Sequence, residues 1–130
     1  MSRFDWTIVR TAATGGLIII VPGAFIAAQL FGGQSASGWA WGFFGVVLIG
    51  FALSGYIGGR LRPDTPMLHG SAGALAAFVV AQVFGVAVTV ARGGSISWIV
   101  IPLTALLAIS MGVAGALISD LVHRRAARVA

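Results

Sequence analysis

The chain has 130 residues and a formal net charge of +5, and 58% of its residues are apolar while only 8% are charged. A soluble domain carries about 25% charged residues, so most of this surface is expected to face lipid rather than water. The chain contains no Cys, Lys, Glu or Asn, which excludes disulfides, thiol nucleophiles, thiolate metal sites and Schiff-base lysines.

Four apolar stretches follow one another along the chain, each close to the roughly 20 residues that cross a bilayer as a helix. The predicted spans are residues 11–31, 39–59, 68–90 and 96–119. Gly32-Gly33 follows the first stretch, Pro63 and its charged neighbours follow the second, and Gly93-Gly94 follows the third. The predicted fold is an all-α integral membrane protein, a four-helix bundle in a single domain. No soluble catalytic domain fits in the remaining residues.

A secretory signal peptide is the alternative for the first stretch. Arg3 and Arg10 precede its apolar part, and Ser35-Ala36-Ser37 resembles a cleavage site. The apolar part is longer than a usual signal core, which favours a membrane span.

The arginines predict the orientation of the chain. Seven of the eight fall on the side that holds both tails and the middle loop, and Arg92 alone falls on the other side. Because cytoplasmic loops carry the excess of basic residues, both termini are predicted to be cytoplasmic. Trp39, Trp41 and Trp98 then lie at the outer headgroup level and Trp6 at the inner one, as in an aromatic belt.

The basic residues also indicate which partners to expect. They are all arginines and lie beside apolar stretches rather than along one helix face, which favours anionic lipid headgroups over nucleic acid. A group of polar residues on the cytoplasmic side is expected to meet headgroups or to form ion pairs: Arg60, Arg62, His69, Asp120, His123, Arg124 and Arg125. Asp120 can pair with Arg60 or with Arg124. Asp120 and His123 share a helix face, but no nucleophile accompanies them, so catalysis is not expected.

An internal duplication is predicted from a repeated segment. Residues 24–32 and 77–85 match at six of nine positions, with an offset of 53 residues. The second and fourth spans agree more weakly. We therefore expect a parallel repeat of residues 11–59 and 68–119, related by a pseudo-two-fold axis along the membrane normal. The alternative is a chance match between helices that draw on a small set of residue types.

Gln29 and Gln82 occupy equivalent places in the repeat and are the most polar side chains within the predicted spans. Hydrocarbon cannot satisfy an amide group, so both are expected to point inward and bond to each other or to the backbone. The functional alternative is a polar gate, or a contact for a solute, that faces the extracellular side.

Small residues recur at a spacing of four in all the spans, which stacks them on one helix face and lets two backbones approach closely. The predicted packing positions include Gly55, Gly59, Gly73, Gly112 and Gly115. Such faces outnumber what four helices need, which favours an oligomer or a larger membrane complex.

No ionisable residue lies in the middle of a predicted span. Carriers driven by protons or sodium ions need such a residue, so coupled transport is not expected. Small multidrug-type antiporters are disfavoured because their buried glutamate has no counterpart, and fluoride channels because their signature uses asparagine. No metal site and no cofactor is predicted.

The segment Ser54-Gly55-Tyr56-Ile57-Gly58-Gly59-Arg60, followed by Leu68-His69-Gly70-Ser71-Ala72-Gly73-Ala74-Leu75, is similar to a pattern in a family of short four-span bacterial membrane proteins of unknown function. The likeness covers about a fifth of the chain, and the turn Arg62-Pro63-Asp64 with its flanking residues departs from it. The resemblance implies this topology and a bacterial cytoplasmic membrane, without a reaction.

Two functional hypotheses follow. The first is a non-catalytic subunit or scaffold that packs against itself or against another membrane protein. The second is a passive pore or small carrier for a neutral or lipid-like solute, formed by a homo-oligomer. An enzyme acting on lipid headgroups would need a nucleophile and a base within reach, and the sequence offers no such pair.

Overall fold

A computed structural model describes the backbone of residues 4–31 and 38–130, and the side chains of residues 4–26 and of those from 44 onward. The described chain forms four helices. They are α1 (Trp6–Phe31), α2 (Gly38–Leu61), α3 (Pro66–Ala91) and α4 (Val100–Val129). All four are long and apolar enough to cross a membrane. The prediction of an all-helical protein with four such helices is confirmed.

The central pair of helices is α2 and α3. Each of them packs against the three other helices, whereas α1 and α4 lie on opposite sides of the pair and do not meet among the described residues. The starts of α1 and α3 and the ends of α2 and α4 lie together, and we call this the termini end. The opposite end, where α1 and α3 finish, is the far end.

Helix α1 begins at Trp6, earlier than the predicted span, because Asp5 caps it. The Asp5 carboxylate accepts a hydrogen bond from the Thr7 backbone N–H at 2.9 Å, and the Asp5 carbonyl accepts one from Val9 at 3.2 Å. An aspartate in this position satisfies N–H groups that a helix start leaves unpaired.

Helix α4 begins later and ends later than predicted. Residues 95–99 are not helical, and Pro102 lies in the first turn of α4, where its missing N–H costs no helical bond. At the other end, α4 continues ten residues beyond the predicted span to Val129. Asp120 and Arg124 form an ion pair one turn apart there, and the alanines that follow favour helix.

Close contacts between backbones hold the termini half of the bundle together. A Cβ built on Gly55 would meet the backbone of Gly112, and one built on Gly115 would meet the Ala52 carbonyl, so α2 and α4 touch without intervening side chains. A Cβ on Gly70 would lie 2.7 Å from the Gly55 carbonyl oxygen, which joins α3 to the same contact. Small residues are needed here because any side chain would separate the helices.

The five predicted packing glycines all lie at contacts between helices of this one chain. Gly59 faces α4 and Gly73 faces Ala12 of α1, in addition to the contacts of Gly55, Gly112 and Gly115. These five positions are therefore used within the chain, whereas a Cβ on Gly42, Gly45 or Gly85 would meet nothing within 4 Å. The oligomer and the duplication both stay predictions.

Candidate functional site

The far half of the bundle encloses a cavity of about 240 Å³ that is bounded by all four helices. We call it the crevice and define it by six of its lining residues: Ile20, Phe51, Phe78, Gln82, Thr104 and Leu107. Ile20, Phe51 and Phe78 belong to the apolar core and close the crevice towards the termini end. Described side chains of the core therefore close the crevice towards the termini end.

Two further cavities adjoin the crevice. One of about 180 Å³ lies between α1 and α3 and reaches Arg92, and it shares Ile20 and Gly85 with the crevice. The other, of about 280 Å³, lies beneath the turn between α3 and α4 and shares Gln82 and Gly85 with it. All three cavities meet at Gly85, where a Cβ would find no atom within 4 Å.

The far half is less closely packed because several of its helix positions are glycines and because α1 and α4 make no contact with each other among the described residues. Gly42 and Gly45 on α2 resemble Gly85 in that an added Cβ would meet nothing within 4 Å. Helices α1 and α4 do not touch among the described residues, so neither can close the space from the side. The described side chains leave this space of about 240 Å³ unfilled, and an apolar molecule could occupy it.

Gln82 supplies the free polar group of the crevice. Thr104 donates its hydroxyl hydrogen to the Val100 carbonyl at 2.6 Å, and Thr89 donates to Gly85 at 2.8 Å, so both hydroxyls bond within their own helices. The half-buried Gln82 amide makes no hydrogen bond to a described residue. An amide offers two donors and one acceptor. The crevice therefore suits a neutral, mainly apolar molecule that carries one polar group.

The predicted contact between Gln82 and Gln29 lies outside the described residues, because the Gln29 side chain is not among them. The side chains of Trp39 and Trp41, which were predicted to lie at the outer headgroup level, are likewise outside the described residues. Of the two glutamines, only Gln82 is placed in the described lining of the crevice.

The residues of the polar group that was predicted at the cytoplasmic side make separate interactions in the structure. Arg62 holds Asp64 through two hydrogen bonds of 2.9 and 2.8 Å in the turn between α2 and α3. These bonds lower the pKa of Asp64 from 3.8 to about 2 and raise the pKa of Arg62. Asp120 pairs with Arg124 at 2.9 Å, which decides between its two expected partners. Arg60, Asp120 and His123 line one cleft between α2 and α4.

His69 lies apart from this group because it is completely buried. Its Nε2 accepts a hydrogen bond from the Asp5 backbone N–H at 3.2 Å, so the ring proton is on Nδ1 and is donated to Thr65, whose Oγ1 lies 2.9 Å away. The Phe4 ring stacks on the imidazole with the centroids 5.7 Å apart. His69 thus fastens the segment before α1 to the start of α3.

Two structural residues were not singled out from the sequence. Asp5 had a signal, since an aspartate before an apolar run is a typical helix cap. Ser54 carried no such signal in the sequence. Its hydroxyl is buried between Gly16 and Gly73 and has no hydrogen-bond partner among the described residues. Only the packing of α1, α2 and α3 shows that it lies in the core.

Comparison of the chain with known protein families, with curated proteins and with solved structures found no match. The resemblance to short four-span bacterial membrane proteins is therefore neither confirmed nor contradicted. Among the described residues, no group of three or more His, Cys, Asp or Glu side chains could hold a metal ion. The function must follow from the crevice and the cleft themselves.

Proposed function

We propose that the protein is a non-catalytic, multi-pass protein of the bacterial cytoplasmic membrane that holds a neutral, lipid-like molecule in the crevice. The observation that carries the proposal is an apolar space bounded by all four helices, with the Gln82 amide unbonded to any described residue inside it. Ligand sites are mostly apolar spaces of about 300–1,000 Å³ with a few polar groups, and the three adjoining cavities together reach that range.

The shape of the crevice favours a slender occupant. A helix with its side chains is about 10 Å wide, which is too wide for a space of about 240 Å³ between four helices. An extended hydrocarbon chain is narrow enough, and its polar end would meet the Gln82 amide. The occupant we propose is therefore an acyl-chain lipid or a molecule of that chemistry.

The excess of arginines at the termini end supports an orientation with both termini in the cytoplasm. The crevice then lies in the half of the bundle that faces the outer leaflet, and we propose that a lipid-like molecule enters from there. Passive holding or exchange is proposed rather than coupled transport, because no ionisable residue lies mid-span. Apart from Arg92 at its edge, the described lining of the three cavities contains no titratable group.

The test is photo-crosslinking in membranes with a fatty-acyl phospholipid that carries a diazirine on its chain. We expect labelling to concentrate on peptides from α3 and α4 that line the crevice. Gly85→Leu would fill the empty space and lower this labelling about tenfold, equivalent to about 1.4 kcal/mol. Val80→Leu is the matched control, because Val80 lies on the same helix, is 52% exposed and lines none of the described cavities.

Labelling spread evenly over lipid-facing residues, and unchanged by Gly85→Leu, would refute the proposal. Gln82→Leu separates the role of the amide from that of the space. It keeps the volume, so labelling by a chain with a polar end should fall while labelling by a plain hydrocarbon probe should not.

A helix-packing subunit of a membrane complex, or of a homo-oligomer, is the second candidate. It is favoured by Gly42 and Gly45, which lie three residues apart near the start of α2 and have no neighbour within 4 Å of an added Cβ. Purification in mild detergent distinguishes the two: a partner protein present in a fixed ratio, and lost in Gly45→Leu, would favour the subunit.

A further inference from the structure

The termini end contains a second cavity, of about 190 Å³, between the last turns of α2 and the last third of α4. We call it the cleft and define it by Tyr56, Gly59, Arg60, Ser119, Asp120 and His123. It forms where two closely packed helices separate: a Cβ on Gly59 would lie 3.1 Å from the Ala116 Cα, and the larger side chains of Arg60 and His123 line the space beyond this contact. The cleft shares no lining residue with the crevice.

The polar groups of the cleft are mostly hydrogen-bond donors without partners. The Arg60 guanidinium, the Tyr56 hydroxyl and the His123 ring make no hydrogen bond or ion pair within the part of the chain that the structure describes. The Ser119 hydroxyl also lacks a hydrogen-bond partner among the described residues, and Ser119 is only 4% exposed. Four side chains able to donate therefore converge on one space.

The one acidic group in the cleft is already neutralised. The Asp120 carboxylate forms an ion pair with Arg124 at 2.9 Å, so its charge is balanced by a residue outside the cleft. In the neighbouring turn, Arg62 is likewise balanced by Asp64. Arg60 is thus left with an uncompensated positive charge at the mouth of a partly buried cavity, which favours an anionic ligand.

The surroundings of the cleft point to an anion attached to a hydrocarbon. Pro63, Val122 and Ala126 complete its lining, and Ile118 beside it on α4 is 54% exposed. In a membrane Ile118, on the membrane side of the cleft, faces acyl chains, while Arg60 lies at the end of its span, at the level of the headgroups. A single ligand can then place its phosphate in the cleft and its chains along α4.

We propose that the cleft between α2 and α4 binds the phosphate group of a phospholipid. Arg60 supplies the charge, and the hydroxyls of Tyr56 and Ser119 and the ring of His123 supply further donors. The site is independent of the crevice, so either proposal can fail without the other.

The test is the thermal stability of the purified full-length protein in neutral detergent, with defined lipids added. Phosphatidylglycerol and phosphatidic acid should raise the melting temperature, and diacylglycerol, which has the chains without the phosphate, should not. Arg60→Gln should weaken the apparent affinity for both phospholipids about tenfold, as expected for one charge-assisted hydrogen bond. Tyr56→Phe removes one donor and should weaken it less.

Arg125→Gln is the matched control, since it removes the same charge from an exposed residue of α4 outside the cleft. It should leave the affinity within about twofold, because an exposed charge contributes little to a specific site. Equal losses in Arg60→Gln and Arg125→Gln would mean general charge attraction and would overturn the proposal, as would equal stabilisation by diacylglycerol.

Two further arms complete the test. Melting of each variant without lipid separates a structural role of Arg60 from a binding role, and an unchanged melting temperature for lipid-free Arg60→Gln supports binding. Glycerol phosphate and inorganic phosphate identify the source of the anion. If either stabilises the protein as strongly as the phospholipids, the assignment to a lipid is overturned.

Discussion

The two halves of the bundle use the same residue type for opposite purposes. In the termini half, Gly55, Gly112 and Gly115 bring backbones of α2 and α4 into contact, with no room for a Cβ. In the far half, Gly42 and Gly85 have empty space where a Cβ would be. A glycine in a membrane helix therefore indicates either a close approach or an opening, and only its neighbours in space distinguish the two.

The largest effect is expected from adding one carbon in the closed half. Gly55→Ala places its Cβ against the Gly112 backbone, which cannot move without separating α2 from α4. We expect a loss of about 1–3 kcal/mol or more, typical of overpacking. Gly85→Ala is the control and should be neutral, or stabilising by up to about 1 kcal/mol through helix propensity. Unfolding in mixed detergent, followed by circular dichroism, measures both, and similar losses in both variants would contradict the comparison.

A loss of similar size is expected at His69, which fastens the segment before α1 to α3. His69→Ala leaves a cavity and leaves the Asp5 backbone N–H without its acceptor. Together these should destabilise the protein by about 1–3 kcal/mol. His123→Ala changes an exposed histidine instead, and without lipid it should stay within about 0.5 kcal/mol of the parent. The same unfolding measurement applies to both variants. Equal losses of stability in His69→Ala and His123→Ala would contradict the role of His69 in holding the segment before α1 against α3.

A smaller effect, of opposite sign, is expected at Ser54. Its hydroxyl is buried with no hydrogen-bond partner, so Ser54→Ala removes an unsatisfied polar group without adding volume. The protein should become more stable by about 1 kcal/mol. Ser110→Ala is the control, because Ser110 is exposed and donates to the Leu106 carbonyl at 2.8 Å. A Ser54→Ala protein that melts earlier than the parent would show that the hydroxyl has a partner.

The smallest effect is expected from the Arg62–Asp64 pair in the exposed turn. Because the pKa of Asp64 is lowered from 3.8 to about 2 in the folded protein, the pair stabilises the fold above pH 3.8. This contribution is lost as the pH falls towards about 2. Melting temperatures of the parent and of Asp64→Asn should therefore differ above pH 3.8 and converge below it. A difference that persists at the lowest pH would contradict the ion pair as its cause.

Part of each site could be predicted from the sequence. Gln82 was predicted to matter because an amide in an apolar span has few partners, and the structure places it in the crevice. Arg60, Asp120 and His123 were expected at one side of the membrane, and they share the cleft. His69 carried the same signal as His123, yet one is buried and the other exposed. His69 lies between Leu68 and Gly70 whereas His123 precedes two arginines, but only the contacts of Phe4 and Asp5 with His69 show that its ring is buried.

The amino-acid sequence by itself determined that the chain forms four apolar helices of membrane-spanning length, because that requires only an apolar composition and turn residues at the breaks. It also placed small residues at a spacing of four. Only the tertiary structure decided which of these small residues join helices and which leave the crevice, and which arginines are already paired. Those outcomes depend on distances between helices that are far apart in sequence, and a spacing along one helix cannot supply them.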